Sequence, residues 1–408
     1  MTEPSLKKNK ERLILYLLAA ISFTNIMDFM IMMPLGPLLM NKFQLTSHEW
    51  SFVIASYTIT SAISGFLSIF IIDNFDRKKF LIFQYIGFII GTFLVGFTDN
   101  YHFLLFARSF TGIFGGVISA TVWAILGDLV SISRRGKAMG VVSIGFSASS
   151  SLGVPFGLYL GTEFYWQMPF RVILIIAIIN LIGIIKLFPN INSHLRNRNF
   201  RSPLKIIVDF LKNKNQVRAI LFMVLLIFGQ FTVVTFIAPF MVANVGFKEI
   251  ELSYIYFVGG IMTIFSSPFI GKLSDKHGQK KIFKILMFLS LIPTIVITTM
   301  GKSGLIYALF WTTIWFILAS GRFIPAQSMI LGAANPESRG SFMGVRAAFL
   351  SLAQALATLI AGAIIVKVPV SGEGQYDFYL ENYEYVGAFA VVCSLATLLV
   401  VNKIKQTS

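Results

Sequence analysis

Long apolar runs separated by short polar segments set the pattern of this chain. Twelve of them can be read: Leu13–Met40, Trp50–Ile72, Phe80–Phe97, Phe103–Val130, Ala138–Leu160, Phe170–Phe188, Ala219–Val242, Leu252–Ile270, Ile282–Met300, Leu305–Ala333, Phe342–Val366 and Tyr385–Val401. Each is about long enough to carry a helix across a hydrocarbon core of roughly 30 Å. Several exceed the roughly 20 residues that a perpendicular helix needs, which predicts tilt or kinking. The longest polar stretch, Pro189–Arg218, divides the spans six and six. Within it Leu204, Ile207, Val208 and Leu211 follow the spacing of an amphipathic helix lying on a membrane surface; a plain charged linker is the alternative. The expected organisation is a six-helix bundle over residues 1–188, a linker over 189–218, and a second bundle over 219–408.

The halves repeat each other. Gly271-Lys-Leu-Ser-Asp275-Lys-His-Gly278-Gln-Lys280-Lys281 follows the eighth run, and a degenerate copy, Asp73-Asn-Phe-Asp76-Arg77-Lys78-Lys79, follows the second. Asp275 lies 202 positions after Asp73. Arg135-Gly136-Lys-Ala-Met139-Gly140-Val recurs as Arg339-Gly340-Ser-Phe-Met343-Gly344-Val at an offset of 204, and Pro34 matches Pro239 at 205. Duplicated membrane halves that enclose a site near mid-depth are a recurring transporter plan.

Composition narrows this further. A chain that is 56% hydrophobic and 13% charged has too little polar surface for a soluble fold. The net charge of +16 raises the question of nucleic acid. Most of the 34 Lys and Arg, however, fall in the N-terminus, the even-numbered loops and the C-terminus. Only Lys42, Arg171, Lys248, Lys302 and Lys367 fall on the other side. This bias places both termini in the cytoplasm and argues against nucleic acid. The linker lysines suit anionic lipids of the inner leaflet. The first run has no small-residue cleavage site after it and reads as a retained helix. With one cysteine, Cys393, no internal disulfide or Cys-based metal site is possible. There is no phosphate-binding loop, paired-His metal motif or Ser/His/Asp order, so no enzyme, cofactor or metal is expected.

Asp28 is the deepest acid. A carboxylate there is costly unless paired, hydrated or protonated. It is a candidate for gaining and losing a proton, for recognising substrate, or for permanent pairing with Arg108. Three cations lie within spans: Arg108, Arg322 and Arg346. When the repeats are aligned, Arg322 falls opposite Ile118, so it has no counterpart in the first half; an anionic substrate group is one candidate partner. Arg346 lies near a span end, where it can snorkel. Asn25, Gln230, Thr235 and Gln354 are candidate cavity-lining polar groups, with Tyr254 and Trp311 among the candidate aromatics. Gly153, Gly157 and Gly161 form a small-residue stripe, and Pro155 adds a kink.

With these motifs the chain resembles the major facilitator superfamily over essentially its whole length. The Gly271–Lys281 loop matches closely; Ile69 and Asp76 replace the usual glycines in the first copy. Gly153-Val-Pro155-Phe-Gly157-Leu-Tyr-Leu-Gly161 resembles the fifth-span signature of the antiporter branches, with Val154 inserted into the usual Gly-Pro pair. Together with Trp166 and the tract from Asn25 through Asp28 to Pro37, it is similar to the drug and sugar efflux transporters. The resemblance implies an all-α membrane protein of twelve helices in two pseudo-symmetric bundles. It implies proton-coupled efflux of a small amphipathic or apolar compound by a monomer in a bacterial inner membrane. A sugar, nucleoside or other polar metabolite is the alternative substrate, and a transport-inactive receptor or scaffold a more distant reading. It also implies that Asp73 and Arg77 pair with each other and with Asp128, that Asp275 and Lys280 play the matching part, that Gly271 and Gly278 shape the second loop, that the span 5 segment packs against the opposite half, and that Arg108 is linked to proton transfer.

Overall fold

The computed structural model describes residues 8–130, 134–192, 208, 210–334, 339–370 and 377–405. Among them are twelve helices long and apolar enough to cross a membrane. Span 1 is Lys8–Met30, span 2 Ser47–Ile71, span 3 Arg77–Gly96, span 4 Tyr101–Leu129 and span 6 Met168–Leu187. Span 5 is built from Arg135–Ala148, a π turn at Ser149–Gly153, and Val154–Glu163. In the second half, span 7 is Lys214–Ala243, span 8 Glu249–His277, span 9 Gln279–Thr298, span 10 Leu305–Gly332, span 11 Arg339–Ile364 and span 12 Tyr383–Val401. Each of the twelve expected runs carries one of these helices, although Leu13–Met40 contains a turn and Phe342–Val366 ends on a strand residue. The helices run a few residues further than the apolar runs, because polar caps start them: Thr46 and Glu49 form a reciprocal capping box at span 2, and Asn100 accepts from Phe103 N at span 4.

The prolines act differently in the two repeats. Near Pro34 span 1 breaks into a turn at Ile31–Leu35, followed by a short helix, Gly36–Lys42. Its partner by sequence, Pro239, stays inside a continuous helix. In span 5 the widened π turn lies immediately before Pro155, whose ring and missing N–H disrupt the preceding turn.

An antiparallel hairpin of β1 (Val366–Pro369) and β2 (Phe378–Glu381) links spans 11 and 12. The apolar pattern gave no sign of it. Asn244 at the end of span 7 clamps it, donating to the Leu380 carbonyl at 2.8 Å and accepting from Leu380 N at 2.9 Å. Of the expected linker helix, Leu204 and Ile207 lie outside the described residues, whereas Val208 and Leu211 are exposed.

Every hydrogen bond described between the halves lies from mid-depth to the end away from the termini. Ser151 Oγ donates to the Gly260 carbonyl at 3.0 Å, Trp50 Nε1 to the Thr235 carbonyl at 3.3 Å, and Lys367 Nζ to the Met40 carbonyl at 3.3 Å. At that end Gly36 is required by close approach: a Cβ there would lie 2.8 Å from the Pro239 ring and 2.9 Å from Trp50. Towards the termini, a Cβ at Gly271 or Gly140 would meet nothing within 4 Å.

Candidate functional site

The turn near Pro34 helps to shape the site around Asp28. Met33 N is taken by the Met30 carbonyl at 3.3 Å, and the Asp28 carbonyl accepts from Arg108 Nη1 at 3.3 Å. The same Nη1 lies 2.8 Å from Asp28 Oδ2, and both side chains are 0% exposed. Thr92 of span 3 donates to Asp28 Oδ1 at 3.2 Å. Arg108 Cζ sits 4.6 Å from the centre of the Tyr57 ring. The Tyr57 hydroxyl donates to Asn25 Oδ1 at 3.3 Å, and Asn25 Nδ2 donates to the Gly115 carbonyl at 3.2 Å. Spans 1, 2, 3 and 4 therefore converge on one ion pair. Arg108 lies two helical turns from the start of span 4, about 10 Å, so the pair sits nearer the end away from the termini than the middle of the bundle.

The site reaches the other half through aromatic rings. Phe29 stacks on Tyr57 at 5.2 Å between centroids, and Phe231 of span 7 stacks on Phe29 at 6.3 Å. Guanidinium, Tyr57, Phe29 and Phe231 thus form one column from Arg108 into the second bundle. A dry carboxylate with a single cation holds its charge only while that contact lasts. Protonating Asp28 would release Arg108, and the rings stacked beside it are the first neighbours to feel that. Thr92, Tyr57 and Phe29 were not candidates from the sequence; they are ordinary span residues made special by what lies across from them.

The other expected residues do not gather in one cavity. Arg322 points into its own bundle, donating to Ser290 and Ser394 at 3.2 Å each and to the Gly229 carbonyl at 3.3 Å. These partners lie on spans 9, 12 and 7 of its own half. Trp311 is half-buried against Tyr307 and Phe310, and Tyr254 is 51% exposed. Gln354 is half-buried, as is Gln230, whose Oε1 has no hydrogen-bond partner among the described residues. Arg346 donates to Gln327 Oε1.

The loop residues show the duplication most clearly. Arg77 Nε lies 3.0 Å from Asp128 Oδ2 and its Nη1 meets the Ile72 carbonyl; the side chain of Asp73 lies outside the described residues. Lys78 Nζ docks on the closing carbonyls of span 6, Ile185 at 2.9 Å and Phe188 at 2.8 Å. Lys280 does the same just past span 12, reaching the Ile404 carbonyl at 2.6 Å. A cation at a helix carbonyl end is favourable, so Lys280 goes there and not to Asp275. Gln279 stands where the first half has Arg77 and donates to Ser328. Asp76 caps span 3 by accepting from Lys79 N at 3.1 Å. Its counterpart Gly278 instead turns the chain with φ +90°.

In span 5 the glycine stripe faces span 1 of the same half: Gly153 lies against Met27 and Phe23, Gly157 against Ile31 and Gly161 against Leu35. The segment also packs against span 8 of the opposite half, and just before it Ser151 Oγ donates to the Gly260 carbonyl. At the end away from the termini, Lys42 beside Asp99 holds that carboxyl below the usual carboxylate range.

Two pseudo-symmetric six-helix bundles, bonded to each other from mid-depth to one end, with a sealed ion pair inside the first, define a membrane transporter of duplicated design. The chain belongs to the Major Facilitator Superfamily, whose family model matches residues 18–358 and 220–403. It is 24% identical over 368 residues to Multidrug resistance protein 2 of Bacillus subtilis, covering 87% of this chain and 90% of that one. It is 24% identical to a probable sugar efflux transporter of Mannheimia succiniciproducens, covering 72% of each. A bacterial homologue of the human lysosomal transporter Spinster, solved inward-facing and unoccupied, superposes with a TM-score of 0.71 at 15% identity, covering 98% of this chain and 96% of that one.

Proposed function

We propose that this protein is a proton-coupled exporter of small amphipathic or apolar compounds that works by alternating access. The observation that carries the reading is the Asp28–Arg108 pair, fully buried and stacked through Tyr57 and Phe29 onto Phe231 of the other half. In this cycle substrate binds while Asp28 is ionised, and protonation of Asp28 frees Arg108 and resets the halves. The structure would be the arrangement open toward the termini, because the described hydrogen bonds between halves gather at the other end. By the distribution of basic residues, both termini face the cytoplasm of a bacterial inner membrane, and the linker over 189–218 rests on anionic lipid. The working unit is a monomer of two bundles, 1–188 and 219–408. The relatives named for multidrug resistance and for sugar efflux support export as the direction.

The test is reconstitution of Asp28→Asn in liposomes with ethidium as probe. The variant should lose accumulation driven by a pH gradient and keep downhill counterflow. Gradient-driven accumulation that survives the change would end the proton assignment. A second reading, a polar or sugar-like substrate, is favoured by buried polar atoms of the second half that have no partner among the described residues: Gln230 Oε1, Ser253 Oγ, Tyr256 OH and Thr313 Oγ1. Transport of a labelled pentose in place of ethidium would select it.

A further inference from the structure

Arg171 has no part in the proton cycle, and it stands in an awkward place. It lies in the first turn of span 6, where the helix dipole disfavours a cation. Span 3 corrects this from the side. Arg171 Nε donates to the Gly96 carbonyl at 2.9 Å, at the carbonyl end of span 3. The stem is packed there too: a Cβ on Gly96 would lie 3.5 Å from Arg171 Cγ. Two rings flank the guanidinium, with Cζ 4.6 Å from the centre of Phe97 and 5.8 Å from that of Tyr165. The head is thus held in place, yet among the described residues neither Nη has an acceptor. Asp99 does not supply one. One turn before Arg171, Gln167 donates to Asp99 Oδ1 at 2.8 Å, and Lys42 pairs with the same oxygen. Glu163, at the end of span 5, makes no described contact with this group. Two cations and one carboxylate gathered here leave one positive charge in excess.

We propose that Arg171 binds the phosphodiester of an anionic phospholipid in the leaflet at the end away from the termini. Span 3 ends and span 6 begins at this level, which is headgroup depth for helices that cross a bilayer. The two Nη groups form a planar pair of donors that suits two phosphate oxygens. The excess positive charge selects an anionic headgroup over a zwitterionic one. Two exposed apolar stripes lead away from the guanidinium, one on each of the packed helices. Phe97, Phe93 and Ile90 belong to the span 3 side, and Ile175 and Ile179 follow Arg171 along one face of span 6. The Phe93 and Phe97 rings lie 4.6 Å apart between centroids. Acyl chains lie along these stripes, so a lipid fits better than a free phosphate ester. The site depends on the spans crossing a bilayer and stands apart from the proton reading.

The test puts a reporter beside the site. Ile175→Cys in a Cys393→Ser background is labelled with bimane in the full-length protein. The protein is held in non-ionic detergent micelles carrying a small fraction of lipid with brominated chains, which quench the label at contact. Brominated phosphatidylglycerol should quench about five-fold more effectively than brominated phosphatidylcholine, the preference expected of one arginine for an anionic headgroup. Adding Arg171→Gln should make the two lipids equal. A label at Ile306→Cys, exposed at the same end of the second half, should show no preference. Equal quenching at position 175, a preference that survives Arg171→Gln, or one as large at position 306 overturns the proposal. Two further arms separate the sources. A stronger response to brominated phosphatidylethanolamine than to phosphatidylglycerol overturns the anionic assignment. Loss of the preference on adding soluble glycerol phosphate gives the site to a free phosphate ester and overturns the lipid form. If Arg171→Gln does not fold, wild type is treated with phenylglyoxal and its modified arginines are located by peptide mass spectrometry. Protection of Arg171 by phosphatidylglycerol and not by phosphatidylcholine upholds the site, and equal modification removes it.

Discussion

Each half of the molecule buries an arginine, and the two are held in opposite ways. Arg108 sits against a carboxylate whose charge can be switched by one proton. Arg322 sits among hydroxyls and a carbonyl that cannot switch. The positions are not repeat-equivalent. At the repeat offsets Asp28 matches Val233, Arg108 matches Thr312, and Arg322 matches Ile118. The halves therefore share helices, loops and the lysine docks at spans 6 and 12, whereas each buried charge belongs to one half alone. The first half holds a charge that can be discharged; the second holds one that is permanent.

The sharpest way to break this contrast is to remove each arginine. Arg108→Met leaves a buried carboxylate without its partner and should cost about 3–5 kcal/mol in chemical unfolding. Adding Asp28→Asn should restore much of that loss. Arg322→Met leaves only neutral groups unpaired and should cost about 1–3 kcal/mol. Equal losses, or no rescue by Asp28→Asn, would mean that the two sites are energetically alike.

A second contrast sets the two ends of the molecule against each other. Gly36→Ala forces a methyl into Pro239 and Trp50, an overpacking of about 1–3 kcal/mol against this arrangement. Gly271→Ala meets open space and should leave melting unchanged. Thiol labelling of a reporter introduced as Lys367→Cys in a Cys393→Ser background should become faster when Gly36→Ala is added, because that end opens. A Gly271→Ala loss as large as that of Gly36→Ala would contradict the geometry at both ends.

Smaller effects follow from the ring column. Phe29→Leu removes two aromatic stacks, each worth about 0.5–1.5 kcal/mol. Gradient-driven transport should fall several-fold, while unfolding of the second half is untouched. The smallest effect concerns Asp99, which is exposed. Its carboxyl is held low by Lys42, so the contact stabilises above the ordinary carboxylate pKa and is lost as pH falls through the lowered one. Lys42→Met should remove that slight stabilisation at neutral pH, leave acid pH unaffected, and so flatten the loss on the acid side in a melting series.

How far the sequence showed this depended on the physics of each feature. Spans were plain because bilayer thickness demands long apolar runs, and loop motifs were plain because they are local. Asp28 and Arg108 stood out as charges inside apolar spans. Their neighbours Thr92, Tyr57 and Phe29 did not, because helix-to-helix contact depends on rotation and tilt that spacing does not fix. For the same reason Arg322 was visible but its serines, Ser290 and Ser394, were not. The glycine stripe was legible as a surface of small residues, but its partner, span 1, could only be seen in the fold. The β1–β2 hairpin was hidden because each strand is only four residues long.

The claim at the centre of this account is that charge moves in the first half and stays fixed in the second. Proton release on adding ethidium to purified protein in weakly buffered detergent tests it most directly. Wild type and Arg322→Gln should release protons on binding, and Asp28→Asn should release none. Release that persists in Asp28→Asn, or that vanishes in Arg322→Gln while ethidium still binds, would contradict it.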